Sequence, residues 1–395
     1  MKKDNLVVLT NNNEVFLYNK VFGQSMKIST EVYNIIKDAE TIEDVEKIAK
    51  EYSNDKDYFD SLIKILKETK MLENYEDDRI KKITFALTNL CNLSCTHCCY
   101  SAGLIKEGME NKANLDVLKK IVEVNPMELS LTGGEPMSVS NFMDIVEFLN
   151  INYTGILTLA TNATLITEEN VKMLCDSFCQ FDISLDGIDE ESTDKIRGKG
   201  SYKTVIEKVK LLRKSTDKDI VLSMAIDNET KENETKFNDL CNELGVKPMI
   251  RTMNMTGRAK NNHIDSDEIV QFMKGSTANI VGCYDCLGGV KEIFVDPCGD
   301  VYPCSNFHED KFKIGNILED GWTNKLGWNK AECWFKEFGE YIPDTREECS
   351  DCEVRTFCWS CPSLAKSFLE SHKINSFKEI CGKKKQEIME AIWNG

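Results

Sequence analysis

The chain of 395 residues has no run of the roughly 18 consecutive apolar residues that a membrane-crossing helix needs. Its amino terminus, MKKDNLVVLTNNNE, lacks the long apolar core of a secretory signal, so the expected location is cytoplasmic and no membrane partner is expected. A basic excess is missing too: 49 lysines and arginines against 66 aspartates and glutamates leave a net charge of −17. A phosphate-binding surface wants the opposite balance, which argues against nucleic acid as a partner. No low-complexity segment interrupts the chain, and 41% hydrophobic with 29% charged residues argues against long disorder. Histidine is scarce; His263, His308 and His372 sit singly in polar surroundings and read as solvated. Cysteine is absent before Cys91.

After that point cysteine is abundant, 17 in all. In a reducing compartment a disulfide framework is disfavoured, so metal ligation is the better reading of the clustered ones. The stretch TNLCNLSCTHCCY carries Cys91-x3-Cys95-x2-Cys98, with Cys99 next to the last. Three thiolates on one tight loop can hold three irons of a cubane and leave the fourth iron open. Zinc wants a fourth protein ligand, and Cys99 is poorly placed to share a metal with its neighbour. Cys175, Cys179 and Cys241 read as small buried hydrophobes.

Periodicity divides the chain in three. Residues 1–78 contain a hairpin, NLVVLT and EVFLYN around NNN, then three short amphipathic helices, a winged-helix-like module. Ser29 or Thr30 and then Thr41 supply helix caps; Ile42, Val45, Ile48 and Ala49, and then Phe59, Leu62, Ile63 and Leu66, make the inward faces. Residues 79–261 alternate short apolar strands (ITFALT, ELSLT, ILTLAT, FDISLD, IVLSMAI, MIRTMNM) with amphipathic helices. That pattern predicts an α/β fold with a parallel sheet, either doubly wound or curved into a barrel whose chemistry lies at the carboxyl ends of the strands. Those ends read NLC, GGEP, TNA, DG and GR. In 262–395 the periodicity breaks into short strands (EIFVD, VYPC), tryptophans and spaced cysteines, a small fold built around metal.

The cysteine loop resembles that of radical S-adenosylmethionine (SAM) enzymes, C-x3-C-x-aromatic-C, with His97 in the aromatic position. The resemblance continues through Gly133, Gly134, Glu135 and Pro136, through Thr161 and Asn162 (Ala163 standing where the family has glycine), and through Ser184 and Arg197. It implies a partial (β/α)6 TIM barrel and assigns Cys91, Cys95 and Cys98 to the SAM cluster. His97 would pack the adenine, the glycine backbone would approach the methionine amine, and Ser184 and Arg197 would hold carboxylate and ribose. Once reduced, the cluster cleaves SAM to a 5′-deoxyadenosyl radical that abstracts hydrogen from unactivated carbon.

Cys286-x12-Gly299-x4-Cys304, then Cys349-x2-Cys352-x5-Cys358-x2-Cys361 and Cys381, resemble the SPASM domain, an iron–sulfur extension of peptide-modifying radical SAM enzymes. The resemblance implies one auxiliary cluster on Cys286, Cys304 and Cys361, with Cys283 or Cys298 as a fourth ligand, and another on Cys349, Cys352, Cys358 and Cys381. Three 4Fe-4S clusters follow, against a zinc-knuckle alternative for the last run. Only Trp359 and Ser360 separate Cys358 from Cys361, one residue fewer than the usual spacing. The first 78 residues resemble the RiPP recognition element, which binds the leader of a ribosomally made precursor peptide by strand addition; a DNA-binding winged helix is the competing reading. Together these imply a maturase of the sactisynthase or ranthipeptide-synthase kind, forming a thioether, reduced by a flavodoxin or ferredoxin. Epimerisation, carbon–carbon crosslinking, sulfatase maturation and non-catalytic electron transfer are the alternatives; Ser305, where sulfatase maturases carry an aspartate base, weighs against that one.

Overall fold

The computed structural model describes residues 6–20, 22–73, 79–106, 109–226, 231–253, 256–261, 286–327, 331–358, 361–371, 377–379 and 381–394. By contact they form two compact units that do not follow chain order. One joins the residues up to 78 with Cys286 and those from 339 onward; the other joins 79–261 with 287–338.

In the first unit, β1 (Leu6–Asn11), β2 (Glu14–Asn19) and β3 (Gln24–Ser29) form an antiparallel sheet in that order, with Leu9 opposite Phe16. Helices α1 (Thr30–Ile36), α2 (Ile42–Glu51) and α3 (Lys56–Glu68) follow. The Ser29 hydroxyl caps α1, and Thr41 with Asp44 makes a capping box for α2. Side chains alternate across a strand, and β2 uses both faces. Val15 and Leu17 pack with Ile36, Val45, Phe59, Leu62 and Leu66. Phe16 and Tyr18, with Leu9, pack instead with Val354, Phe357, Ile388 and Ile392 from the carboxy-terminal part. The Tyr18 and Phe357 rings meet edge-on at 5.0 Å. Sequence reading expects two strands here; the third, QSMKIS, is a mostly polar edge strand without strong apolar alternation.

In the second unit β4 (Lys82–Ala86) leads into a two-residue ladder between β5 (Leu90–Cys91) and β6 (Gly103–Leu104). Then come β7 (Glu128–Thr132), β8 (Ile156–Thr161), β9 (Gln180–Ser184), β10 (Asp219–Ile226) and β11 (Lys247–Thr252). With β4 they form a continuous parallel array, separated by α4 (Leu115–Val124), α5 (Phe142–Asn152), α6 (Val171–Ser177), α7 (Glu190–Arg197), α8 (Ser201–Ser215) and α9 (Glu234–Leu244). This is the expected partial (β/α)6 barrel, its core filled by Phe85, Leu129, Leu131, Leu159, Phe181, Ile183 and Leu222. Helix α7 is an addition: Asp189 and Ser192 cap a short turn that the sequence reading passes over. EIFVD departs from its expected place in a separate small fold. As β12 (Glu292–Val295) it pairs parallel to β4, Phe294 opposite Thr84, and antiparallel β13 (Asp300–Tyr302) and β14 (Gly315–Asn316) extend the same sheet. Among the described residues no helix is long and apolar enough to cross a membrane.

Candidate functional site

The cysteine loop leaves β4 and is fastened at once to its neighbours. The Gly134 N–H donates to the Thr88 carbonyl at 2.8 Å and the Glu135 N–H to the Leu90 carbonyl at 2.9 Å. A Cβ on Gly133 would lie 2.4 Å from the Thr88 oxygen, and one on Gly134 would lie 2.1 Å from the Leu90 oxygen. The two glycines are therefore required by the approach of the cysteine loop itself. Pro136 is buried and opens a single turn of 3-10 helix. The fully buried Glu135 carboxylate accepts from the Thr161 hydroxyl (2.7 Å) and from the Asn162 and Met137 N–H groups (2.8 and 3.1 Å). It ties the end of β7 to the end of β8. Burial pushes its pKa up while those donors hold it down. Asn162 in turn donates to Asn92 at 2.9 Å and reaches the Cys91 sulfur at 3.8 Å.

Cys91 and Cys95 are buried, and among the described residues no cysteine is in a disulfide. Burial pushes the Cys91 thiol up to about 11, reinforced by Glu135, Cys95 and Cys98. Cys95 is raised by burial and opposed by the Arg197 and Arg258 cations. Thiols this close, buried and beside guanidinium groups suit a metal that displaces their protons. Among the described residues no three thiol, carboxylate or imidazole groups stand at the spacing of a single metal ion. A cluster places each thiolate on a different iron, so that result leaves the cluster donor set intact.

Asp186, in the SLDG stretch after β9, is the residue the sequence reading misses. Its backbone is left-handed (φ +60°) and its carboxylate is buried. One oxygen accepts from His97 Nε2 at 2.9 Å and from Arg197 Nε at 2.7 Å, with a second bond from the same guanidinium; the other accepts from the Ala225 N–H at 2.7 Å. Burial opposes the charge, but Arg197 and His97 hold the carboxyl far below its ordinary range. Asp186 thus draws together two residues that the sequence singles out separately. His97 Nδ1 is buried without a partner. Ser184 ends β9, half-buried, in register with Ser223 of β10.

The carboxy-terminal cysteines divide. Burial, with Cys352 and Cys381 close by, raises the Cys349 and Cys358 thiols; burial first, then the neighbouring cysteines, takes Cys358 up to about 12, opposed by Lys384. Cys286 and Cys361 belong to the same unit as these, Cys304 to the barrel unit. Cys298 is exposed in a turn on Asp296, and Cys283 lies outside the described residues, as do His263 and His372. His308 is not a solvated loop residue: its Nδ1 lies 2.7 Å from the Ser305 carbonyl and its ring stacks on Tyr100 at 5.6 Å. Cys175 and Cys241 are buried as expected, whereas Cys179 is exposed.

A family model of the radical SAM superfamily matches residues 85–272, and one of an iron–sulfur cluster-binding domain matches residues 286–353. Mycofactocin maturase MftC of Mycolicibacterium smegmatis is 26% identical over 297 residues, covering 68% of this chain and 74% of that protein. The antilisterial bacteriocin subtilosin biosynthesis protein AlbA of Bacillus subtilis is 25% identical over 348 residues, 78% of this chain and 72% of that one. In fold, the chain is similar to Streptococcus suis SuiB bound to precursor peptide SuiA, with a TM-score of 0.55 at 14% identity over 90% of this chain and 93% of that one.

Proposed function

Because the chain belongs to the radical SAM superfamily and carries a carboxy-terminal iron–sulfur domain, we propose that it is a maturase acting on a ribosomally made precursor peptide. The observation that carries this reading is the amino-terminal sheet with its three helices, standing ahead of a barrel whose relatives include a mycofactocin maturase and a subtilosin biosynthesis protein. β1 and β3 are its edge strands, and an extended leader adds to such an edge by main-chain hydrogen bonds.

When bound, SAM and its cluster would supply hydrogen-abstraction chemistry through a 5′-deoxyadenosyl radical. The chain's part is to place and shield that chemistry. Cys91, Cys95 and Cys98 would ligate the cluster; the backbone at Gly133–Pro136, Thr161, Asn162, Ser184 and Arg197 would line the SAM site. The orphaned His97 Nδ1 offers one further polar contact there. Asp186 keeps Arg197 and His97 in place for it. Cys349, Cys352, Cys358 and Cys381 would hold one auxiliary cluster and Cys286, Cys304 and Cys361, with Cys283 or Cys298, another, three clusters in total. The bond we infer is a thioether from a peptide cysteine to carbon; the auxiliary clusters would serve as acceptors for the surplus electron, and a flavodoxin or ferredoxin would be the reductant. The test is anaerobic co-expression with the precursor. Formation of 5′-deoxyadenosine with a mass loss of two hydrogens and one blocked thiol supports the reading. An unchanged mass with inverted stereochemistry makes the enzyme an epimerase, and no SAM cleavage by reconstituted protein overturns the reading.

A further inference from the structure

The chain leaves β11 through Thr256, Gly257 and Arg258, and this turn closes on the back of the cysteine loop. Gly257 is left-handed (φ +57°), and a Cβ there would stand 2.3 Å from the Cys99 carbonyl oxygen and 2.5 Å from that of Cys98. Arg258 then makes three separate bonds. Its backbone N–H donates to the Cys98 carbonyl at 2.9 Å, its Nε to the Cys95 carbonyl at 2.8 Å, and its terminal nitrogen to the Ala102 carbonyl at 2.8 Å. A loop without a regular ladder leaves its carbonyls short of donors. One guanidinium, with donors in a fixed fork, spans two of these carbonyls in a way that an ammonium cannot.

We propose that Arg258 is a positioning residue for the reductive step: it clamps the backbone of the three-cysteine loop and keeps a permanent positive charge beside its thiolates. The loop's ties to Glu135 and Asn162 reach Leu90, Asn92 and Cys91. In its far half the Thr96 N–H donates to the Ile196 carbonyl at 2.9 Å and His97 meets Asp186, while Arg258 holds the carbonyls of Cys95, Cys98 and Ala102. Because cluster potential follows local charge and hydrogen bonding, the residue sets the ease of reduction as well as the loop geometry. The inference rests on the assignment of Cys91, Cys95 and Cys98 to the SAM-responsive cluster.

The experiment compares R258Q, R258K and G257A with the wild type and C91A. In the cluster-free full-length chain, hydrogen–deuterium exchange over residues 98–102 is expected to quicken about tenfold in R258Q and G257A, the size of one lost charge-assisted bond. After anaerobic reconstitution with iron and sulfide, R258Q should show a weaker SAM-responsive paramagnetic signal and a more negative midpoint potential. R258K should restore the potential but not the exchange protection, which separates charge from geometry. Wild-type exchange and potential in R258Q overturn the proposal. If R258Q does not fold, G257A and R258K decide it by the same two readouts. A SAM-responsive signal that survives in C91A overturns the ligand assignment instead, while exchange in the cluster-free chain still reports on the clamp.

Discussion

The two cysteine-bearing loops are held by different physics. The loop of Cys91, Cys95 and Cys98 has little apolar core of its own. It hangs from fixed strand ends by backbone bonds to Gly134 and Glu135, by Asn162, and by the Arg258 fork. The loop of Cys349, Cys352 and Cys358 is a chain of short 3-10 turns, and it is anchored by burial. Val354 and Phe357 insert under the amino-terminal sheet, and Cys352 and Cys358 flank the same apolar cluster. A loop at the end of a barrel borrows rigidity from the strands. A loop without a barrel has to borrow a core, and here the first 20 or so residues of the chain contribute it. The amino-terminal module is thus part of the structural support of the cysteines some 340 positions later.

Removing the polar hub should have the largest effect on the barrel side. D186A strands a buried guanidinium and imidazole, and losing one partner of such a pair costs about 3–5 kcal/mol. Thermal unfolding should show that loss, and 5′-deoxyadenosine formation should vanish, while exchange protection of residues 6–19 stays as in the wild type. Unaltered SAM cleavage in D186A would show that the hub does not position the site.

The apolar counterpart is F357A. Emptying a fully packed phenylalanine site costs about 3–5 kcal/mol. Protection should fall together in residues 6–19 and 349–358, and iron content should drop, because both segments share one core. SAM cleavage in the barrel should survive. If protection falls in only one of the two segments, they do not share a cooperative unit.

How much of this was legible in the sequence follows from range. ELSLT and ILTLAT coincide residue for residue with β7 and β8, because a short apolar run between turn-formers is a local signal. The GGEP glycines are legible as glycines, but their partner, the cysteine-loop backbone, appears only in three dimensions. Asp186 carries no periodic signal, and His97 lies 89 positions away from it. The sandwiching of β2 had a trace: EVFLYN fails to alternate between polar and apolar, as a strand covered on both faces should. Nothing local names Phe357 as the cover.

The hub and the strand staple should also respond to pH in opposite senses, measured by urea unfolding of the cluster-free chain. The depressed pKa of Asp186 means its contribution is present above the ordinary carboxylate range, near pH 4, and is lost as pH falls below it. Glu135 is raised, so between its ordinary and folded pKa the folded state keeps a proton the unfolded chain has released. Its contribution therefore declines as pH rises through that window. D186N should flatten the first slope and E135Q the second; identical profiles in both variants would contradict the assignment.

The smallest expected effect lies at Ala163. Its backbone is left-handed (φ +61°) and its methyl group is fully buried. The left-handed conformation costs a non-glycine residue roughly 1–2 kcal/mol. Against that, A163G gives up about 0.8 kcal/mol of methyl burial and roughly 0.5–1 kcal/mol of backbone entropy. The terms nearly cancel, so A163G should shift stability by less than about 1 kcal/mol in either direction. The loop does not depend on glycine's freedom, because its Thr161 hydroxyl accepts from the Ala163 N–H at 3.0 Å and Glu135 holds Thr161 and Asn162. The strain is carried by the same polar ties that fasten the cysteine loop. A loss above about 3 kcal/mol, in the range of large core truncations, would mean instead that the methyl packs as a core residue, and that apolar burial anchors this side of the barrel too.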